Sequence, residues 1–243
     1  GKVLFVSMLL TLTIALGACS GDKAGKESSQ ITIGIPQDVD SLDPHKAVAA
    51  GTKEVLFNVF EGLVKPDSEG NLNDAVAESH TISEDGKENT FTLRDGVKFH
   101  DGTTVTAEDV KYSIDRCADT SNGDPLVSAF LAIDSVNIID EKTVEIVLKE
   151  GNTDFLPYLT AAILPAANED PESNPIGTGP YKYVSRSPQE NVILEKFDEY
   201  WGTPANIDTV KLQVIANADT IVTSLNGGSV DMFARISQAQ ADQ

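Results

Sequence analysis

The chain has 243 residues, in which 18 lysines and arginines stand against 38 aspartates and glutamates, for a net charge of −20. That balance argues against a nucleic-acid partner, which needs basic patches to displace counterions, and implies a solvated, self-repelling surface. The about 213 residues after position 30 are enough for one large or two ordinary domains with a real core.

Lys2 followed by the apolar or small hydroxylic run Val3 to Leu16 has the layout of a secretory signal over residues 1–18: a positive end, an apolar middle and small residues at the cut. A helix rises about 1.5 Å per residue against a hydrocarbon core of roughly 30 Å, so this run is too short to span a membrane. Leu16-Gly17-Ala18-Cys19 resembles the lipobox of bacterial lipoproteins, which implies that Cys19 is acylated and becomes the new N-terminus. The alternative is a free cysteine behind an ordinary signal or at the end of a buried helix. Residues 19–30 then form the lipidated cysteine and a polar, flexible tether with a reach on the order of 20 Å. Cys117 is left without a partner, so a buried thiol is expected, with no disulfide and no redox chemistry.

Ile31-Thr-Ile-Gly-Ile35 predicts a strand that Pro36 ends, because proline cannot donate to a ladder. Gln37 to Pro44 is a loop by composition. Thr52 is placed to cap a helix running to Glu61, with Val55, Leu56, Val59 and Phe60 on or near one face. Thr81 to Ser83 and Thr90 to Arg94 predict strands joined by a turn at Glu84-Asp-Gly-Lys87. Thr106, with Asp109 three residues on, reads as a capping box that opens a helix to about Ala118 and puts Val110, Ile114 and Cys117 at core spacing. Asp134 to Ile139 and Thr143 to Leu148 predict a second hairpin. Pro157, Pro165, Pro171, Pro175 and Pro180 exclude a long helix or a central strand and set a domain boundary within Leu164 to Ile176. Beyond it, Tyr181 to Val184, Val192 to Phe197, Ile207 to Val214 and Val230 to Phe233 predict strands, and Ala218 to Leu225 a helix capped near Asn217.

From Phe60-Glu-Gly-Leu-Val64 onward the chain resembles the bacterial extracellular solute-binding proteins of family 5, the peptide- and nickel-binding components of ABC importers. The resemblance rests on Ser41-Leu-Asp-Pro44, Val76-Ala-Glu78, Ser83-Glu-Asp-Gly-Lys87, Phe91 to Gly102, Thr106-Ala-Glu-Asp-Val110, Asn174 to Tyr181, Tyr200-Trp-Gly202 and Asn226 to Asp231, in order. It implies a mixed α/β fold of the periplasmic-binding-protein type II, with three domains in two lobes that close over a ligand. The later lobe is absent from this sequence, which is therefore expected to be a C-terminally truncated piece. On the family pattern, residues 31–58 and 175–243 form an incomplete, discontinuous domain I, interrupted by domain II over 59–174. The resemblance also implies an exported, lipid-anchored receptor that breaks no bond, needs no cofactor, captures short peptides and hands them to permease subunits in the membrane. Nickel or metal-chelate binding is the alternative within the family; an exported hydrolase or a sensor lipoprotein is the alternative outside it.

In peptide binders of this family the segment after Leu-Asp-Pro is extended and pairs with the ligand backbone like an added strand. Here that segment is Val48-Ala49-Ala50-Gly51-Thr52, whose small residues would let a ligand backbone come close. It reads equally as a plain loop leading into a helix. Gly177-Thr-Gly179 and His100-Asp101 read as structural, with glycine supplying a positive φ for a tight turn. His45, His80 and His100 lack metal-ligand spacing, so no metal site is expected. No Gly-x-Ser-x-Gly occurs, and no catalytic residue is assigned. The acidic pairs Glu84-Asp85, Glu108-Asp109 and Glu169-Asp170 read as solvated caps and turns, and Arg94, Arg116, Arg186 and Arg235 could bind a carboxylate only in principle.

Overall fold

The structure, a computed structural model, describes residues 28–234. The expected signal segment and Cys19 lie outside them. Two sheets organise the described residues. The first has five strands in the order β11-β1-β10-β9-β8: β1 (Gln30–Ile35), β8 (Tyr181–Ser187), β9 (Asn191–Lys196), β10 (Thr209–Val214) and β11 (Met232–Phe233). β1 runs parallel to both β10 and β11, and the β8-β9-β10 part is antiparallel. The second sheet is wholly antiparallel in the order β4-β5-β7-β6: β4 (Ala77–Ile82), β5 (Glu88–Leu93), β6 (Ile133–Ile138) and β7 (Thr143–Leu148). A small ladder, β2 (Val64–Pro66) with β3 (Leu72–Asp74), stands beside it.

Each sheet has its own buried cluster. In the second sheet, alternation turns Phe91 and Leu93 of β5 and Val144, Ile146 and Leu148 of β7 to one face, where α2 (Ala107–Ala118) lays down Val110, Ile114 and Cys117. Each large side chain buried this way contributes about 1.5–3 kcal/mol. The capping box forms as expected: Thr106 accepts from the Asp109 amide while the Asp109 carboxylate accepts from the Thr106 amide at 2.8 Å. Burial pushes the Cys117 thiol up to about 12, so it stays a protonated, inert core group. The first sheet buries Ile35, Val192, Leu194 and Leu212 with Val39, Leu42, Val55 and Val59.

Three local expectations change. α1 runs over Ala50–Leu56, beginning before Thr52 and ending short of Glu61. Thr52 therefore lies within the helix, and its hydroxyl accepts from the Asp40 amide at 3.0 Å instead of capping. The helix stops early because the Asn58 and Val59 carbonyls accept from the Tyr181 and Gly179 amides, so tertiary pairing claims this backbone. Gly177 and Gly179 do not have positive φ; their lack of a side chain matters because a Cβ at either would collide with the Asn58–Val59 backbone. Glycine φ is positive at Gly86, Gly96 and Gly102, where Asp-Gly pairs do turn the chain. The short β2–β3 ladder had no alternating run long enough to announce it. α3 (Ala218–Asn226) is capped by Asn217, whose side chain accepts from the Asp219 amide at 2.8 Å.

Candidate functional site

α1 and the loop that leads into it are held from below by a buried charge cluster. The Asp43 carboxylate receives both Arg116 guanidinium nitrogens, at 3.2 and 2.5 Å, and the His45 amide. Arg116 also donates to His45 Nδ1 at 2.6 Å, and because a guanidinium only donates, that nitrogen is the acceptor and Nε2–H donates to the Ala162 carbonyl at 2.7 Å. Burial and the neighbouring Arg116 charge hold His45 below the usual imidazole range. Burial alone would raise the Asp43 pKa, but the Arg116 contacts outweigh it and keep the carboxylate ionised. Glu172 closes the loop from the other side, accepting from the Ser41 hydroxyl at 2.5 Å and the Leu42 and Asp43 amides.

The predicted ligand segment, Val48 to Thr52, is only partly extended. Val48 and Ala49 precede the helix, Ala49 with φ −64° and ψ 133°; Ala50, Gly51 and Thr52 form its first turn, which corrects the expectation that all five are extended. Ala49 offers no side-chain cap, and the end is held from a distance by Asp40, which accepts from the Val48 and Ala49 amides at 2.9 and 3.1 Å. The Thr52 contact and these two amides lower the Asp40 pKa to about 2. Val48 is 79 % exposed, whereas Thr52 is buried.

Two cavities flank α1. One, of about 410 Å³, lies between Ala49, Ala50, Gly51 and Val55 on the helix side and Ile33, Ile35 and Leu212 of the first sheet. The other, of about 530 Å³, is lined by Lys53 and Leu56 of α1, by Phe57 and Asn58 just after it, and by Glu61, Lys65, Thr160–Ala162 and Tyr200 across it. Both volumes suit small molecules.

The floor of the larger cavity is a hydrogen-bond hub around Glu61, 4 % exposed. Its carboxylate accepts from Lys65 Nζ at 2.8 Å, Tyr200 Oη at 2.7 Å, Trp201 Nε1 at 2.8 Å and Thr178 Oγ1 at 3.0 Å. Lys65 also donates to Tyr200 Oη and lies over the Trp201 ring, with the Arg94 guanidinium at 4.2 Å from that ring's centre. Burial and the Glu61 charge raise the Tyr200 pKa, so the phenol remains a donor. Beside the hub, His100 accepts from the Gly177 amide through Nδ1 and donates to the Gly179 carbonyl through Nε2. Burial, with the charge of Lys182, lowers its pKa to about 4, so it is a neutral brace. The hub thus ties together Phe60-Glu-Gly-Leu-Val64, Gly177-Thr-Gly179 and Tyr200-Trp-Gly202.

The other sequence candidates fall into structural roles. Arg94 donates to the Ala75 and Ala77 carbonyls and Arg186 to Asp38, so with Arg116 these three arginines already have partners; Arg235 lies outside the described residues. His80 pairs with Asp74. Asp85 and Asp170 accept from local amides or hydroxyls in exposed turns, as their sequence context implied, whereas Asp109, expected to be solvated, caps α2 from a buried position and also accepts from the distant Ala166 amide. Asp40, Glu61, Glu172, Lys53 and Lys65 were not singled out from sequence. Glu61 sat inside a quoted motif, and a lone acid between apolar residues was the available signal; the others have none.

Comparison with known proteins follows this geometry. Residues 71–243 match the model "Bacterial extracellular solute-binding proteins, family 5 Middle". Glutathione-binding protein GsiB of Escherichia coli O1:K1 / APEC is 32 % identical over 224 residues, covering 88 % of this chain and 44 % of the relative, so the chain spans about half the length of the curated relatives it matches. Among solved structures, the PBP AgaA of A. tumefaciens R10 with agropinic acid superposes with a TM-score of 0.78 at 31 % identity, covering 83 % of this chain and 43 % of that one. DppA of Helicobacter pylori with the peptide STSA gives 0.75 at 26 % (84 % and 46 %), and NikZ of Campylobacter jejuni with Ni(L-His) gives 0.75 at 27 % (83 % and 42 %). The mixed α/β fold is that of these binding proteins, and the chain belongs to the bacterial extracellular solute-binding proteins, family 5.

Proposed function

We propose that this chain is the ligand-gripping part of an ABC importer's receptor, exported and tethered to the outer face of a membrane through acylated Cys19, which captures short peptides and delivers them to a permease without chemical change. In this reading residues 31–58 and 175–243 form one domain and 59–174 a second inserted into it. The division into two sheets with separate cores supports that partition.

The observation that carries the peptide reading is exposed Val48 followed by extended, half-buried Ala49 above a cavity lined by Ala49, Ala50 and Gly51. Because Asp40 occupies the Val48 and Ala49 amides, the ligand's N–H groups meet carbonyls here, chiefly that of Val48, and the pairing is one-sided. Relatives described with glutathione and with a tetrapeptide fit this mode. NikZ with Ni(L-His) keeps metal-chelate uptake as the second reading. Differential scanning fluorimetry against di- to pentapeptides, with Ni(II)–histidine alongside, separates them. Peptides at about a hundredfold excess over Kd stabilise by roughly 2.7 kcal/mol. A shift with the nickel complex alone defeats the peptide assignment, and peptide fragments in the mass spectrum defeat pure binding.

A further inference from the structure

We propose that the cavity on the Lys53 side of α1 is a separate small-molecule site that takes an organic carboxylate with an apolar body. Its charged lining consists of Lys53, Lys65 and Glu61, and the Glu61 carboxylate is already filled by four donors. The Lys53 ammonium has no hydrogen bond or ion pair among the described residues. Lys65 spends two of its three N–H groups on Glu61 and Tyr200, is held in place by the Trp201 ring, and has one donor left. The lining therefore carries one net positive charge in a chain whose total is −20.

The third described cavity, of about 420 Å³, differs in sign: it sets Arg94 and Lys142 against Asp95, Glu108 and Glu141. An anion entering it meets a net negative lining, whereas at the Lys53 cavity it meets two ammonium groups across an apolar wall of Leu56, Phe57, Phe60 and Ala162. Burial of the ligand's apolar body against that wall supplies affinity, and the lysines set the requirement for charge. The site does not depend on which solute pairs with Val48–Ala49.

Trp201, the single tryptophan of the chain, lies under the Lys65 ammonium and reports on the site through it. Titrating the full chain with phenylacetate should give a saturable change in Trp201 emission and a matching calorimetric isotherm. The neutral isostere phenylacetamide should bind roughly fivefold more weakly, and Lys53→Gln, folded as judged by an unchanged melting midpoint, should weaken phenylacetate about two- to fivefold, the range of an exposed ion pair. Raising the salt should weaken the acid and leave the amide unaffected. Equal binding of acid and amide, no signal by either method up to about 10 mM, near the weak end of specific affinities, or an unchanged affinity in the Lys53→Gln variant overturns the proposal. A protein that ignores all peptides yet passes this test keeps the site and loses the peptide reading.

Discussion

Asp43 and Glu61 are two buried carboxylates on either side of α1, and their oxygens are satisfied in different ways. Asp43 is answered by a full opposite charge: Arg116 grips it with two nitrogens while also holding neutral His45. Glu61 is answered mainly by neutral dipoles, a phenol, an indole and a threonine hydroxyl, with one partly exposed lysine. The first arrangement pins a loop to one helix. The second joins the Glu61 segment to two others that each lie more than a hundred residues further along the chain, so its loss strands more groups. A buried charge is tolerated when its lone pairs are filled, and the identity of the fillers decides which perturbation breaks it.

The largest effect should come from Glu61→Ala, which leaves the Thr178 hydroxyl, the Trp201 indole and Lys65 without their acceptor. We expect a loss of about 4 kcal/mol in urea unfolding, with a shifted Trp201 emission in whatever remains folded. A loss under about 1 kcal/mol would mean that the hub is decoration. Asp43→Asn should cost less, about 2–3 kcal/mol, because Arg116 is partly exposed and water can take the place of the lost charge. If it proves the more damaging of the two, the contrast between the carboxylates is reversed.

The smallest effect, and the sharpest, is in acid. His45 and His100 both fit only as neutral rings, and each has a folded pKa below the ordinary imidazole value. The neutral form therefore contributes its full stability above about pH 6.5, and that contribution is lost as the pH falls through the folded value, about 4 for His100. Asp43 and Glu172, with lowered pKa values of their own, extend the loss at lower pH. His45→Asn removes one of the two imidazole shares, so its plot of stability against pH should fall less steeply below pH 6.5 than that of the wild type. Parallel curves would remove His45 from the acid response.

Much of the second sheet was legible because its signals are local. The Thr106–Asp109 box, the Asp-Gly turns and the alternation of Thr143 to Leu148 each act within a few residues, and the structure places them within one or two positions of the expectation. The solute-binding family was legible for a similar reason: its motifs are turns and close contacts whose residue types backbone geometry dictates. The helix at α1 was misread where local and distant demands collide. Thr52 has the chemistry of a cap but bonds to Asp40, and the Asn58 and Val59 carbonyls accept from the Tyr181 and Gly179 amides, respectively.

By itself, then, the sequence determined the mixed α/β class, the hairpins, the caps of α2 and α3 and the family, since these follow from periodicity, turn chemistry and motif order. Only the tertiary structure decided that Gly177 and Gly179 serve close approach and not a turn, that Asp40 occupies the amides a ligand strand would seek, and that Glu61, Thr178, Tyr200 and Trp201 meet. The physical reason is range. A hydrogen bond or a buried charge is set by which groups meet in space, and residues 61, 178 and 200 meet only after two sheets have formed and closed the chain upon itself.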